Sequence, residues 1–328
     1  MILIDSSIDI HSLVYANIDV FHIKNLENLP ESEQHPYNYF VHVFLNQILK
    51  RIREFGASSN NRIILAFDDK SWRKEYFQKV KDQYFKNYYK SKEVTDEGYK
   101  EHREKSKEVD WKKIYELVDE IILFLNSSTD VCAMKVKNTE GDDIIGYLTL
   151  QNNNDHIVIL SGDKDFRQLI TKKNIKYFNT RKYLYEDVAD PELFLKHHII
   201  MGDKADEIPA VIKGVGKKKA LKLLHDIDTI RQIDKDVDFR YEVNKKLIDL
   251  SCIPSYITDE IAKSYNSLKD SYNFDGNKIM DFLSKYGCNN LMMTMGNFSL
   301  RGIHTEQKKF VDGVSVSERI VDDFLDNL

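Results

Sequence analysis

Short apolar runs that each lead into an aspartate recur along the first half of the chain. Ile2-Leu3-Ile4 meets Asp5, the run 63–67 meets Asp68, and the run 157–160 passes through Ser161-Gly162 to Asp163. Runs of this length and composition predict buried strands. Between them the repeat lengthens to the helical period. Residues 39–55 carry Phe40, Val41, Phe44, Leu45, Ile48, Ile52 and Phe55 at that spacing, and residues 110–126 carry Ile114, Leu117, Val118, Ile121, Ile122 and Leu125. The same reading predicts strands at 131–136, 175–178 and 182–185. It predicts helices at 139–150, 191–201, 217–225, 241–250 and 278–286, with a short amphipathic helix at 310–328. Strands alternating with helices imply an α/β fold with a mostly parallel central sheet flanked by helices. From Pro191 onward the pattern is helical, so a boundary near residue 190 divides the chain into 1–190 and 191–328.

A parallel sheet places its site at the carboxyl ends of the strands, so Asp5, Asp68 and Asp163 are expected on one rim. Other acids are spaced to join them. Glu140, Asp142 and Asp143 open a predicted helix, Asp165 follows Asp163 by two residues, and Asp203 and Asp206 come later. Two like charges ~4 Å apart repel by ~4 kcal/mol at an effective dielectric of ~20. Such a cluster calls for divalent cations, and a donor set made only of oxygen points to magnesium or manganese. Plainer readings stand beside this one. An aspartate after a strand also forms turns or caps helices, and Thr139 with Asp142 fits a short-armed capping box. Asp69 competes with Asp68, which is preferred because it directly continues the apolar run.

Two basic stretches add a polyanion-binding character. Segment 70–92 holds eight Lys or Arg, including Arg73, Lys74, Lys86 and Lys90, against two acids, with seven aromatics interleaved. With the mixed-charge residues up to 113, it is too long for a simple connection and reads as an insertion over the active edge. Cations with aromatic rings suit a single nucleic-acid strand. At 212–217, Lys213-Gly214-Val215-Gly216-Lys217 continues into Lys218-Lys219. A glycine turn at a helix N-terminus can hold a phosphate without reading its base. It is not a Walker loop, because Lys218 stands where Ser or Thr is needed. The plain alternative is an interhelical turn with a solvated lysine face.

Bulk composition narrows the class. The chain has 328 residues, 42% hydrophobic and 31% charged, with a formal net charge of -5, which excludes a uniformly basic nucleic-acid coat. Cys132, Cys252 and Cys288 match no zinc or redox motif and read as reduced thiols in a cytoplasmic protein. The start lacks a signal-peptide pattern, and the longest apolar run, 121–125, is too short to span a membrane. His197-His198 lacks the H-E-x-x-H pattern and reads as core or surface histidine.

Taken in order, Ile-Asp-Ser-Ser, Phe-Asp, Glu-Gly-Asp-Asp, Ser-Gly-Asp-Lys-Asp-Phe, Gly-Asp-Lys-Ala-Asp-Glu-Ile-Pro and Gly-Val-Gly-Lys-Lys-Lys-Ala resemble the flap endonuclease / 5′–3′ exonuclease family, in particular its phage ribonuclease H branch. The likeness covers residues 1 to about 225 well and the remainder weakly. It implies a PIN/5′-nuclease-like sheet domain followed by a helical duplex-binding region with a helix-three-turn-helix motif at the glycine turn. The resemblance also implies a magnesium-dependent nuclease of DNA replication, acting by two-metal-ion hydrolysis on 5′ flaps, nicked duplexes and RNA primers paired to DNA. Asp5, Asp68, Glu140 and Asp142 would hold one ion, and Asp163 and Asp165 the other. Asp203 or Asp206 would lie nearby, with Asp142 or Asp143 contributing between the two. Manganese would substitute, and potassium would bind at the turn. Segment 70–113 would be the arch through which a free 5′ end passes. Arg73, Lys74 and Lys90 would meet the scissile phosphate. Lys86, Lys213, Gly214, Gly216, Lys217, Lys218 and Lys219 would contact the nucleic acid. A monomer working with a sliding clamp or single-strand-binding protein in the cytoplasm, the host's for a phage-encoded chain, completes the expectation. Two rivals stay open: a PIN-type ribonuclease on single-stranded RNA, and a non-catalytic branched-DNA-binding protein.

Overall fold

Six strands form one sheet in the order β3-β2-β1-β4-β5-β6. They are β1 (Ile2–Asp5), β2 (Ile63–Phe67), β3 (Cys132–Lys135), β4 (Ile157–Ser161), β5 (Ile175–Asn179) and β6 (Leu184–Glu186). The structure, a computed structural model, describes residues 1–21, 36–55, 62–86, 100, 109–152, 155–214, 216, 220 and 236–299. The first five strands are mutually parallel, and β6 folds back antiparallel on β5. Every residue of β1, β2 and β4 is buried, as expected for parallel strands covered on both faces. That is why they read as unbroken apolar runs rather than alternating ones. The strand order reverses between β1 and β4, which makes the carboxyl edge there a topological switch point.

The local chemistry of each connection fixes how the helices leave the sheet. Asp5 ends β1 and caps helix Ser6–Ala16, accepting the Ile8 amide at 3.3 Å. Asp110 caps helix Trp111–Ser128 through the Lys113 amide. Arg51 of helix Pro36–Phe55 makes a two-pronged contact with Asp9 of the first helix, one prong at 2.6 Å. The predicted helix at 39–55 and the predicted strands lie within a few residues of the observed ones.

The contacts divide the described residues into two compact units. The first draws on Met1–Trp72, Arg103–Ala189 and Ile253–Thr305; the second draws on Arg73–His102 and Asp190–Cys252. A single boundary near residue 190 therefore misses a return crossing. Helices Ser255–Leu268 and Gly276–Lys285 belong with the sheet. Ile279, Leu283, Tyr286, Leu291 and Phe298 join the same buried cluster as β1 and β2, and Phe282 stacks on Phe124 with ring centroids 3.9 Å apart. Burial decides the assignment here, not composition.

In the second unit, helix Trp72–Phe85 accounts for three of the aromatics of segment 70–92. Phe77, Tyr84 and Phe85 pack with Ile199, Ile208, Val243 and Leu247 and leave no face for a nucleobase. The Tyr84 hydroxyl donates to Pro209 O, and Arg240 donates its Nε–H to Val211 O at 2.8 Å. The expected helices at 217–225 and 310–328 and the arch residues 87–99 and 101–108 lie outside the described residues. No helix among those described is long and apolar enough to cross a membrane.

Phe124→Ala is expected to lower stability by ~3–5 kcal/mol, the cost of an emptied aromatic core site. Urea unfolding measures it; a loss below ~1 kcal/mol would mean that the 276–298 segment does not share the core.

Candidate metal centre

The carboxyl edge gathers the acids through a chain of hydrogen bonds that begins in the strands. Asp5 is 8% exposed, and its Oδ2 accepts the Ser161 hydroxyl at 2.7 Å across the β1–β4 pair. The same hydroxyl oxygen accepts the Asp163 amide at 2.9 Å. Ser161 thus ties the acid ending β1 to the acid following β4. Asp163 then caps the short 3-10 helix Lys164–Leu169 by accepting the Asp165 amide, while the Tyr177 hydroxyl donates to the Asp163 carbonyl.

On the other side of β1, the Asp68 amide donates to Ser7 Oγ at 2.7 Å, and Asp68 Oδ1 accepts the Gly141 amide at 2.7 Å. Gly141 opens helix Gly141–Gln151, so Asp68 meets the positive end of that helix. A Cβ at Gly141 would lie 3.1 Å from Asp68 Oδ1 and 3.3 Å from Ala66 O, so glycine lets the helix start this close to β2. Asp69 instead accepts the Asn138 amide and ties two loops together. The preference for Asp68 over Asp69 has this geometry behind it.

Glu140, Asp142 and Asp143 each bring a carboxylate oxygen to within 4.8 Å of the others. They differ in task. Asp143 is fully buried; its Oδ2 accepts the Glu140 amide and the Trp72 indole at 2.9 Å. The capping box is therefore Glu140 with Asp143, one residue on from the expected Thr139 and Asp142. Asp143 thus anchors the helix start, and its carboxylate stays within reach of those of Glu140 and Asp142. The orienting roles of Ser161 and of the Trp72 indole were not read from sequence, since a serine or indole that orients a carboxylate carries no motif of its own; neither does Ser7, which accepts the Asp68 amide.

The electrostatics match the crowding. Burial, and then the charge of Asp68, push the Asp5 carboxyl up to about 7, against the opposing Ser161 hydrogen bond; Asp9 and Asp163 push the same way. Burial followed by Asp68 pushes the Tyr115 phenol up to about 12. The donors are carboxylates only, and they are mutually repelling. A hard divalent cation fits such a set.

The remaining expected residues belong to the second unit or lie outside the described residues. Asp203 and Asp206 lie in the second unit. Asp203 is buried, with Oδ2 against His198 Nε2 at 2.9 Å and Oδ1 accepting the Ala205 amide; Asp206 faces the Lys100 ammonium at 3.5 Å. His197 and His198 are both buried. Arg73, expected at the scissile phosphate, is 1% exposed and donates its Nε–H to Leu247 O at 2.9 Å, so it serves the core of the second unit. Lys74, Lys86, Lys213, Gly214 and Gly216 are exposed, and Gly214 adopts φ +77°. Lys90, Lys217, Lys218 and Lys219 lie outside the described residues.

Comparison with known proteins converges on one group. The family model described as 5′-3′ exonuclease, N-terminal resolvase-like domain, matches residues 1–197, and the model described as T4 RNase H, C terminal, matches residues 214–298. The chain is similar to ribonuclease H of Enterobacteria phage T4, 24% identical over 300 residues, covering 83% of this chain and 91% of that one. It is similar to DNA polymerase I of Bacillus caldotenax, 35% identical over 121 residues, which spans 32% of this chain but 14% of the polymerase. Among solved structures, the bacteriophage T5 flap endonuclease in a pseudo-enzyme–product complex with DNA and metal ions shares the fold. Its TM-score is 0.54 at 14% identity, with 82% of this chain and 99% of that one covered.

The raised Asp5 pKa sets the sign of a pH effect. Between its unfolded value of 3.8 and its folded value of about 7, the folded state holds the extra proton, so the metal-free protein loses stability as pH rises through that window. Asp5→Asn removes the penalty. In chelator at pH 8 the variant is expected to exceed wild type by on the order of 4 kcal/mol, with the gap closing at pH 4. Thermal unfolding at both pH values measures it; a gap independent of pH would contradict the assignment.

Proposed function

This chain belongs to the 5′-3′ exonuclease family defined by an N-terminal resolvase-like domain, and from that premise we propose that it is a structure-specific 5′ nuclease of DNA replication. It hydrolyses phosphodiester bonds at 5′ flaps, nicks and RNA primers paired to DNA, as a cytoplasmic monomer that uses two magnesium ions and accepts manganese. One observation carries the reading. Asp5, Asp68, Glu140, Asp142 and Asp163, distant in sequence, meet at the carboxyl edge around the switch point. The flap and RNA substrates are supported by the related ribonuclease H and flap endonuclease.

Asp5, Asp68, Glu140 and Asp142 would hold one cation, and Asp163 with Asp165 the other. When bound, such cations supply Lewis acidity toward the phosphate and a more acidic water. The protein's share is orientation. Ser161 orients the Asp5 carboxylate, Ser7 holds the Asp68 backbone amide, and Gly141 admits the helix terminus that steadies the Asp68 carboxylate. Lys74 and the Lys213-Gly214 turn, both exposed, present cations and open backbone to duplex phosphates. Potassium at the turn carbonyls would add to that grip. A pure binder would gain nothing from a negative rim facing phosphate, which argues for chemistry.

The test incubates 5′-flap, nicked and RNA-primed duplexes with magnesium, with chelator, and with Asp163→Asn. Cleavage is expected in magnesium only, with activity down on the order of 100-fold or more in the variant. A bulky group on the 5′ end is expected to suppress flap cutting by blocking threading. Cutting that persists in chelator would reject metal dependence.

A further inference from the structure

One basic side chain on the acidic edge is not used by the reading above. The turn after β5 leaves the sheet at the same carboxyl edge as the turn after β4, since the two strands are parallel, with Ser161 opposite Asn179. The Thr180 amide extends the ladder by donating to Ser161 O at 2.9 Å. Asn179 Oδ1 then accepts the amides of Arg181 and Lys182, each at 3.0 Å, while its own amide group donates to Glu186. The backbone of Arg181 is therefore set by a braced turn.

Its side chain is set by a glycine. A Cβ built on Gly162 would lie 2.7 Å from Arg181 Nε, 2.8 Å from Cγ and 3.0 Å from Cδ. The arginine stem thus lies on the bare backbone immediately before Asp163. The residue is exposed, and no ion pair holds it among the described residues. Lys182, its neighbour, is instead engaged with Glu186 at 3.2 Å. A guanidinium held at its base and open at its tip, beside acids that draw in cations, is placed for a ligand that those cations also attract.

We propose that Arg181 is a phosphate-gripping residue of this site, its stem laid on Gly162 so that the guanidinium receives a nucleic-acid backbone phosphate next to Asp163. The planar fork pairs two phosphate oxygens at once, which a lysine ammonium does not do. The contact reads charge and position, not sequence. Gly162 is then required for the space that the arginine occupies, in addition to any demand of the turn. This proposal rests on the nuclease reading, and its test separates the two.

Nicked-duplex binding in chelator is measured against salt concentration, and flap cleavage in magnesium is measured alongside. Arg181→Ala is expected to reduce the slope of log K against log [salt] by about 1 and kcat/KM by roughly 10- to 100-fold. Arg181→Lys should recover the slope but not kcat/KM. Lys173→Ala, which removes the same charge from an exposed residue at the amino end of β5, should change neither by more than about twofold. Gly162→Ala should lower kcat/KM alone, yet add little once Arg181 is already alanine, because the two act through one contact. Thermal unfolding confirms that each variant folds. An unchanged salt slope and unchanged kcat/KM in Arg181→Ala would overturn the proposal, as would full additivity of the Gly162 and Arg181 changes. Failure of wild type to cut any 5′-ended duplex would defeat the nuclease reading, and the binding slope would still decide the role of Arg181.

Discussion

Mutual repulsion among carboxylates at the carboxyl edge is the constraint around which the first unit is arranged. A parallel sheet aligns strand ends, so an acid at the end of each strand is forced toward its neighbours. The protein offsets this locally with donors: the Ser161 hydroxyl to Asp5, the Gly141 amide to Asp68, and the Glu140 amide with the Trp72 indole to Asp143. These donors orient the acids without neutralising them. The remaining negative charge is what draws cations to the edge.

Arg51 and Asp9 make a contrasting pair. There an acid one turn beyond Asp5 is matched directly by a guanidinium, which joins two helices and withdraws one negative charge from the crowd. Charges that serve packing are paired with an opposite charge. Those on the edge are given dipoles. That distinction separates scaffold from site within the same few residues.

The strands and the edge acids were legible because a strand buried on both faces leaves a short run of Ile, Leu and Val that little else produces. Helices with a broad buried stripe, such as Pro36–Phe55, were equally visible. Helix Ser255–Leu268 was not, because only Ile257 and Ile261 are buried along it, too thin a stripe to stand out from the surrounding polar residues. Residues 72–85 misled for the opposite reason. Rings and cations at helical spacing satisfy both a nucleic-acid platform and an amphipathic helix, and only burial of Phe77, Tyr84 and Phe85 separates them. Arg73 was misplaced with them, since nothing in a sequence says which arginine of a basic run will be enclosed. Within the edge, motif reading found the acids but not their braces; a lone serine or tryptophan becomes informative only when its neighbour in space is known.

The return of residues 276–298 to the cluster that also holds β1 and β2 has a consequence for the order of events during synthesis. A ribosome delivers the amino-terminal end first, so all the acids of the rim emerge long before Leu283, Leu291 and Phe298 do. Until those side chains arrive, the hydrophobic interior beside helix Trp111–Ser128 is incomplete, and the repelling acids lack a rigid floor. Maturation of the acidic edge is thereby coupled to the emergence of residues 276–298, and a nascent chain stalled before them is left with that edge unfinished.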